Sequence, residues 1–346
     1  MPAAAPNEVR LMLGGDVMLG RTVKEYIEQL GPAYPLAPLA PVLRQADLVA
    51  VNLECAITAG TRQWAGEPKA FYFGAPVEAA ETLREAGVGL VSLANNHTLD
   101  FGVEGLSDTL RALGAAGVQH VGAGANIAGA TRAVIVERKG MTFGMEAFCD
   151  HQADFAADER QPGIAWLDLG DEDAALAAFA AALAPLRAAG VDWPILSLHW
   201  GPNMVRRPSH AFRRLAHGAI DMGWKILYGH SAHVFQGIEI RNGCPIIYAA
   251  GDLVDDYYVD PAFRNDLQLL FELDLGRDGL HRIVMYPVAI SACRATPADA
   301  AETRYIFDQM RLLSGELGTE VHEDGTRLVI HAGKQPPTPS PYPAPS

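Results

Sequence analysis

The chain has 346 residues, of which 49% are hydrophobic, so it can bury a sizeable core, either in one large α/β domain or in one domain with additions. Its 41 acidic side chains outnumber the 27 basic ones, and the resulting net charge of −14 repels a polyphosphate backbone. The sequence contains no run of lysine and arginine residues. We therefore predict no nucleic-acid partner and expect a small-molecule or oligopeptide substrate, including an anionic one; the sequence does not indicate an oligomeric state.

The cysteine usage and the N-terminus are typical of a cytoplasmic protein. The four cysteines, at positions 55, 149, 244 and 293, form no C-x-x-C pair, so we expect reduced and mostly buried thiols. The opening residues, MPAAAPNEVRLML, lack the basic segment of a signal peptide. The sequence has no run of about 18 apolar residues, so we predict no membrane association.

The predicted elements begin as an alternation of strands and helices. Five apolar segments without helical periodicity predict buried parallel strands: Val9–Gly15, Asp47–Glu54, Val88–Asn96, Trp193–Gly201 and Trp224–His233. Four segments with apolar residues at helical spacing predict helices between them: Ala75–Gly87, Val103–Gly117, Asp171–Gly190 and Ser209–Gly223. This order predicts βαβ units in a layered α/β fold.

The later part of the chain has a different pattern. Turn signals within Phe235–Asp252 and Leu267–Val288 predict antiparallel hairpins, in a second sheet or at the edge of the first. We predict a helix opened by proline over Pro297–Leu313. The predicted organisation is a single domain over residues 8–315, an extension with a short strand over 316–334, and a disordered proline-rich tail over 335–346.

Residues that can bind a metal follow the ends of all five predicted strands. They are Asp16, Glu54, Asn96 with His97, His199, and His230 with His233. Ligands bind outside the carboxyl ends of parallel strands in α/β sheets, so we expect one cluster. Each residue alone has an ordinary alternative as a turn former, a helix cap or a core histidine. Their recurrence on five strands favours a functional site.

Imidazoles and carboxylates together suit manganese, zinc or iron. The set exceeds the four ligands of one tetrahedral ion, so we predict one or two divalent ions. The anionic Glu54 can bridge two ions. His97 is a candidate proton donor, with Asp100 placed to orient its other ring nitrogen. The alternative for Asp100 is a helix-initiating aspartate.

Other candidates surround these motifs. Arg21 can meet a substrate carboxylate or phosphate, or it can be a surface arginine. Lys69 and Trp200 are candidate substrate contacts, and their alternatives are a packed aromatic strand and the core. Three acidic residues either join the site or cap a loop: Asp252, Asp255 and Asp256.

Six sequence blocks together resemble the bacterial CapA/PgsA family, which is named for poly-γ-glutamate capsule synthesis. They are GGDVMLGR (Gly14–Arg21), VNLECAIT (Val51–Thr58), LANNHTLDFG (Leu93–Gly102), LHWG (Leu198–Gly201), GHSAHVFQG (Gly229–Gly237) and YAAGDLVDDY (Tyr248–Tyr257). The resemblance runs from about Leu11 to Val259. The family is similar to calcineurin-like metallophosphoesterases in the order of these blocks, which implies a layered α/β/β/α sandwich.

The metallophosphoesterase pattern is D-x-H, G-D-x-x-D, G-N-H-D/E, H and G-H-x-H. By this resemblance Asp16 is a ligand of the first metal, although Met18 stands where its partner histidine is expected. The bridging aspartate of the pattern has no exact match. Asn52 or Glu54 stands in its place, and Glu54 is preferred for its charge.

The remaining blocks supply the other ligands that the resemblance implies. Asn96, His199 and His230 resemble ligands of the second metal. His233 resembles a ligand of the first metal, and His97 resembles the group that protonates the leaving atom.

The resemblance implies a metal-dependent hydrolase in which a metal-bound hydroxide attacks the substrate. The missing histidine at Met18 weakens the first site and favours a less charged bond, so we predict an amide or γ-glutamyl-type bond. A phosphoesterase and a non-enzymatic protein of poly-γ-glutamate synthesis are the alternatives.

Overall fold

The computed structural model describes residues 8–334, which fold into strands and helices that alternate over much of the chain. The strands are β1 (Val9–Val17), β2 (Leu48–Leu53), β3 (Ala56–Ile57), β4 (Gly74–Ala75), β5 (Leu90–Ser92), β6 (Gln119–Val121), β7 (Ala123–Gly124), β8 (Val134–Arg138), β9 (Met141–Cys149), β10 (Gly163–Ile164), β11 (Trp193–His199), β12 (Ile226–His230), β13 (Ile238–Arg241), β14 (Cys244–Ile247), β15 (Asp252–Val254), β16 (Leu267–Gly276), β17 (Gly279–Ser291), β18 (Arg294–Pro297), β19 (His322–Asp324) and β20 (Arg327–His331). The α-helices are α1 (Arg21–Leu30), α2 (Ala40–Leu43), α3 (Ala79–Ala86), α4 (Gly102–Ala116), α5 (Ile127–Ala130), α6 (Glu172–Ala188), α7 (His210–Met222) and α8 (Ala300–Gly315). Two short 3₁₀ helices cover Ala153–Phe155 and Ala332–Lys334.

The first large sheet has the order β19-β20-β17-β16-β1-β2-β5-β6. Strands β1, β2, β5 and β6 run parallel, as the alternating pattern predicts, whereas β16 pairs antiparallel with β1. A short parallel strand, β15, also pairs with the end of β1. The carboxyl ends of β1, β2 and β5 therefore lie at one edge.

The second sheet has the order β13-β14-β12-β11-β9-β8. Its central strands β9, β11, β12 and β14 are parallel, and the hairpins β8–β9 and β13–β14 close its two sides. The five predicted parallel strands thus divide between two sheets, three in the first and two in the second.

The layering confirms the predicted α/β/β/α arrangement. One hydrophobic core contains inward-facing residues of both sheets, such as Leu13 and Val51 of the first and Ile195 of the second. A second core lies where α6 and α7 cover the second sheet, with Phe179 and Leu215 packed against its apolar side chains. Both faces of the second sheet are therefore buried, which explains why β11 and β12 are continuous apolar runs.

The structure differs from the sequence predictions in the start of one helix and in one hairpin. Pro297 ends β18, so the helix predicted to open with it begins instead at Ala300. The Asp299 side chain caps this helix in a capping box with Glu302. The β8–β9 hairpin was not predicted, although β9 is fully apolar on one face.

The C-terminal extension adds the hairpin β19–β20 to the first sheet, with β20 paired to β17, where we predicted one short strand. The predicted disordered tail, residues 335–346, lies outside the described residues. All four cysteines are buried and free of disulfides, as predicted. Among the described helices, none combines the length and the apolar character that a membrane span requires.

Candidate metal centre

The site begins at the end of β1, where Asp16 pairs with Asn52 of β2 on one side and with Asp252 of β15 on the other. The ladder shifts register between Leu13 and Asp16, a bulge that re-aims the strand end. Gly15 permits the close approach of β15, because a Cβ there would lie 2.1 Å from the carbonyl oxygen of Gly251. This contact places the Asp16 and Asp252 carboxylates side by side.

The second sheet delivers its histidines in register. His199 of β11 pairs with His230 of β12, and their Nδ1 atoms are 2.8 Å apart. Ser197 Oγ lies 2.9 Å from Nε2 of His230, so His230 presents its Nδ1 to the cluster. The loop after β12 then turns through Ser231 and His233, which have φ values of 98° and 56°. Such left-handed backbone in non-glycine residues is strained and is concentrated at functional sites.

Two groups of candidate metal ligands meet at Asp16. One contains Asp16, His199 and His230, and the other contains Asp16, Glu54, His233 and Asp252. Within each group the ligand atoms lie within 4.8 Å of one another. Asp16 is thus the shared carboxylate, whereas we expected Glu54 to be the bridge. Glu54 still lies between the groups, with Oε1 3.8 Å from His199 and Oε2 3.9 Å from His233.

The second group, called here the carboxylate-rich group, consists of Asp16, Glu54, His233 and Asp252. It has four candidate ligands although Met18 stands where a histidine ligand was expected. The Met18 side chain is buried, and its sulfur accepts a hydrogen bond from the Gly20 N–H at 3.1 Å. Asp252, which was an uncertain candidate, joins the group instead, with Oδ1 2.9 Å from Nδ1 of His233. The expected weakness of the first site is therefore offset by a carboxylate from β15.

The donor atoms fit a divalent cation. Glu54 Oε1 and Asp252 Oδ2 are buried oxygens without a hydrogen-bond partner among the described residues. Burial raises the pKa of Asp16 to about 6, and burial together with the neighbouring Asp16 carboxylate raises those of Glu54 and Asp252 well above their usual range. Carboxylates crowded in a buried space need a cation to remain ionised together.

The histidines are in the form that binds metals. Burial lowers the pKa of His230 to about 3, and burial with the neighbouring His230 lowers that of His199 well below its usual range. Both imidazoles are therefore neutral near pH 7, as coordination requires. Together with the carboxylates they form a nitrogen and oxygen donor set that could hold a divalent metal ion.

Three asparagines connect the cluster to the ends of β2 and β5. The Asn52 amide donates to Oδ1 of Asp16 at 2.8 Å, and Asn95 donates to Oδ1 of Asn52 at 3.0 Å. Asn96 Oδ1 lies 2.9 Å from Nε2 of His199. Asn96 is therefore beside the histidine pair, where the resemblance places it, whereas Asn52 supports Asp16.

His97, the predicted proton donor, is held by the predicted Asp100. The Nδ1 atom of His97 lies 2.6 Å from Oδ2 of Asp100, and its ring stacks on Phe73 with centroids 3.8 Å apart. The same Asp100 oxygen accepts the Phe73 N–H. Burial lowers the pKa of His97 to about 4, although Asp100 acts in the opposite direction. Asp100 precedes α4, whose N-cap is Phe101, so it does not cap that helix.

Two predicted substrate contacts lie away from any open surface. Trp200 points to the opposite side of β11 from His199, so it lies in the second core. There its ring stacks on Phe212 with centroids 4.7 Å apart, and its Nε1–H donates to the Tyr248 carbonyl. The Lys69 ammonium contacts Asp100 and the Asn96 carbonyl oxygen, and its side chain is only 7% exposed. Its position favours support of His97 over contact with substrate.

Arg21 and the other acidic candidates lie around the cluster. Arg21 forms an ion pair with Asp256, with Nε 3.3 Å from Oδ2. Burial and the neighbouring Asp252 carboxylate raise the pKa of Asp255 well above its usual range, and Asp255 belongs to neither of the two ligand groups.

The structure brings in residues that the sequence reasoning did not single out. Tyr257 donates to Oε2 of Glu54 at 3.2 Å and meets the His233 ring edge to face. His151 lies 3.0 Å from Ser231 Oγ and 5.6 Å, ring to ring, from His199. Asp150 and His151 directly follow β9, so the strand-end rule would have found them had β9 been predicted.

Fold and site together define a layered α/β protein with a buried carboxylate and histidine centre suited to divalent metal. Residues 10–257 match the model of the bacterial capsule synthesis protein family PGA_cap, and the chain belongs to this family. This match confirms the predicted CapA/PgsA relationship.

Three relatives have informative names. A probable polyglutamine synthesis accessory protein of Mycobacterium tuberculosis is 32% identical over 92% of this chain and 94% of its own length. The capsule biosynthesis protein CapA of Bacillus anthracis is 29% identical over 72% of this chain and 60% of its own length. The PGA biosynthesis protein CapA of Bacillus subtilis is 29% identical over 82% of this chain and 72% of its own length.

Proposed function

We propose that this chain is a metal-dependent hydrolase that cleaves an amide bond of γ-glutamyl type. The observation that carries the proposal is the position of Asp16, which is shared by the histidine pair and the carboxylate-rich group. The adjacent Asn96 and His97 bring a proton-transfer group to the same place. One or two bound divalent ions would lower the pKa of a water molecule and polarise the oxygen of the scissile carbonyl.

His97, oriented by Asp100, transfers the proton in this scheme. Asp100 accepts the Nδ1 hydrogen of His97, so the lone pair of the neutral ring is on Nε2. This nitrogen can accept a proton from the attacking water and then pass it to the leaving nitrogen, which departs as a neutral amine. His97 is the donor that we predicted, and in this scheme it first acts as the acceptor.

The charge of the site supports an amide in preference to a phosphoester. Three buried carboxylates, those of Asp16, Glu54 and Asp252, offset much of the positive charge of two divalent ions. A phosphoester dianion gains less from such a centre than from one with neutral ligands. The names of the relatives, which refer to polyglutamine synthesis and PGA biosynthesis, support a substrate built from glutamine or glutamate.

Hydrolysis of two chromogenic substrates tests the proposal. We expect the protein loaded with Mn²⁺ or Zn²⁺ to cleave γ-glutamyl-p-nitroanilide faster than p-nitrophenyl phosphate. EDTA and the Asp16→Asn variant should abolish turnover, because Asp16 belongs to both ligand groups. The matched control is Asp221→Asn, since Asp221 is a surface aspartate paired with Arg241, and it should retain wild-type activity.

The other outcomes are equally decisive. Cleavage of the phosphoester alone would replace the amide assignment with a phosphoesterase. A protein that retains no divalent ion after loading and cleaves neither substrate would be a non-enzymatic member of the family.

A further inference from the structure

Arg21 occupies a backbone conformation that needs an explanation. It directly follows the ligand-bearing loop of β1 and begins α1 with φ of 50°, a left-handed value for a residue with a side chain. Its neighbour Gly20 packs on the Phe73–Gly74 segment, where a Cβ would lie 3.0 Å from the Gly74 nitrogen and 3.2 Å from Phe73. The fold therefore holds Arg21 tightly against the segment that stacks on His97.

The guanidinium group is held by contacts that leave one of its edges available. Its Cζ lies 5.1 Å from the Phe71 ring centroid and 5.8 Å from that of Phe73, within cation–π range. Its Nε faces Asp256, whose Oδ2 also accepts the Thr22 N–H at 2.9 Å. Within residues 8–334, the two terminal nitrogens of Arg21 make no hydrogen bond to another protein group.

The available edge lies near the reacting centre. The Phe73 ring that borders Arg21 also stacks on His97 at 3.8 Å, so one aromatic ring separates the guanidinium from the imidazole. The Arg21 side chain is 36% exposed and Phe71 beside it is 57% exposed, so both are open to solvent next to the Phe73 ring. Lys69 cannot serve in this role because its ammonium is buried against Asp100.

We propose that Arg21 binds a free carboxylate of the substrate and selects γ-linked glutamate over neutral amides. In a γ-glutamyl amide the α-carboxylate is four bonds from the reacting carbonyl carbon, so both groups belong to one residue. The terminal nitrogens of an arginine hold a carboxylate by two parallel hydrogen bonds, which gives both affinity and orientation. The inference rests on the proposed function, because it takes the reacting bond to be an amide.

The test compares two substrates on two variants. Arg21→Gln should lower kcat/KM for γ-glutamyl-p-nitroanilide by about 10- to 100-fold, the effect of losing charge-assisted hydrogen bonds. For the α-carboxamide analogue of the same anilide, the loss should stay below about threefold, because no charge-assisted pair is lost. Arg21→Lys should fall in between on the carboxylate substrate, because it keeps the charge and loses the paired geometry.

A surface arginine provides the control. Arg62 is 83% exposed, and its only ion-pair partner within residues 8–334 is the exposed Glu104, so Arg62→Gln should match wild type on both substrates. Circular dichroism and thermal unfolding verify that each variant is folded. An equal loss for Arg21→Gln on the carboxylate and carboxamide substrates would overturn the assignment.

A binding experiment separates this inference from the proposed function. Calorimetric titration of the Mn²⁺-loaded protein with N-acetylglutamate needs no turnover. Weaker binding to Arg21→Gln, with no such change for N-acetylisoglutamine, supports the carboxylate site even if no amide is cleaved. Unchanged binding of N-acetylglutamate contradicts it.

Discussion

At the residue scale, the two oxygens of Asp16 face different partners. Oδ1 accepts from Asn52 and lies 3.7 Å from Nδ1 of His230. Oδ2 accepts the Ser231 N–H at 3.2 Å and lies 3.5 Å from Nδ1 of His233. One short carboxylate therefore joins the histidines of the second sheet to the carboxylates at the end of the first.

This geometry predicts different metal contents for two variants. We expect the bound metal of the wild-type protein to fall to none in Asp16→Asn, because both ligand groups contain Asp16. Asp252→Asn should retain one ion, since Asp252 belongs only to the carboxylate-rich group. Inductively coupled plasma mass spectrometry after Mn²⁺ loading and gel filtration gives the values, with Asp221→Asn as control. Equal contents in Asp16→Asn and Asp252→Asn would show that Asp16 is not shared.

Lys69 contacts Asp100, the residue that orients His97, and its loss should therefore affect both stability and activity. Lys69→Met leaves the buried Asp100 carboxylate without its cation, which should cost about 3 kcal/mol of unfolding free energy. Displacement of His97 should lower kcat by about 10- to 100-fold, the usual effect of losing an outer partner. Urea unfolding and steady-state kinetics measure both quantities.

The matched control for Lys69 is Lys24→Met. Lys24 makes an exposed helical pair with Glu28, worth about 0.5 kcal/mol or less. If Lys69→Met has wild-type stability and only a higher KM, Lys69 does not support His97. That result would instead favour the substrate contact predicted from the sequence.

At the element scale, β9 carries a buried acid on the face that packs toward the helices. Glu146 is 1% exposed, and its Oε1 has no hydrogen-bond partner among the described residues. Its strand neighbour Leu196 belongs to the second core. Burial raises the pKa of Glu146 to about 9, so the folded protein carries this carboxyl protonated near neutral pH.

This shift predicts a stability that falls with rising pH. Between the ordinary glutamate pKa of 4.5 and about 9, the folded chain holds a proton at Glu146 that the unfolded chain has released. The free energy of unfolding therefore decreases by about 1.4 kcal/mol per pH unit across that window from this group alone. Glu146→Gln should remove that slope, as measured by urea unfolding at about pH 5.5 and about pH 7.5.

The control for Glu146 is the exposed Glu159→Gln, which should keep the wild-type slope. A Glu146→Gln variant with an unchanged pH slope would show that the carboxyl is ionised in the folded protein.

At the scale of the whole molecule, the candidate metal centre lies where the two sheets meet. The first sheet contributes Asp16, Glu54 and Asn96 from the ends of three parallel strands. The second contributes His199 and His230 from β11 and β12. A bound ion would therefore cross-link the two layers of the sandwich in addition to serving the reaction.

Metal removal should accordingly lower the thermal stability of the whole domain. An ion present at 100 times its Kd stabilises the folded state by about 2.7 kcal/mol. For a chain of this size EDTA should therefore lower Tm by roughly 4 °C. Asp16→Asn should have a Tm that EDTA does not change, and differential scanning calorimetry measures both. An identical wild-type Tm with EDTA and with excess Mn²⁺ would contradict the cross-link.

Local patterns in the sequence determined the five predicted parallel strands, most of the helices and the residues that follow the ends of those strands. The reason is physical, because a strand buried on both faces must be apolar throughout and its first polar residues mark where it leaves the sheet. Asp16, His199 and His230 were predicted in this way, and the structure brings them together. The family blocks added the expected role of each ligand, and the family match confirms the family relationship.

Only the tertiary structure decided how these strand ends are combined. Pairing of β15 with β1 brings Asp252 to Asp16, and packing of one sheet on the other brings histidines of β11 and β12 to carboxylates of β1. The side of β11 on which Trp200 lies, and the burial of Lys69 behind His97, follow from the same long-range contacts. Such contacts depend on sheet order and layer packing, which local apolar periodicity does not encode.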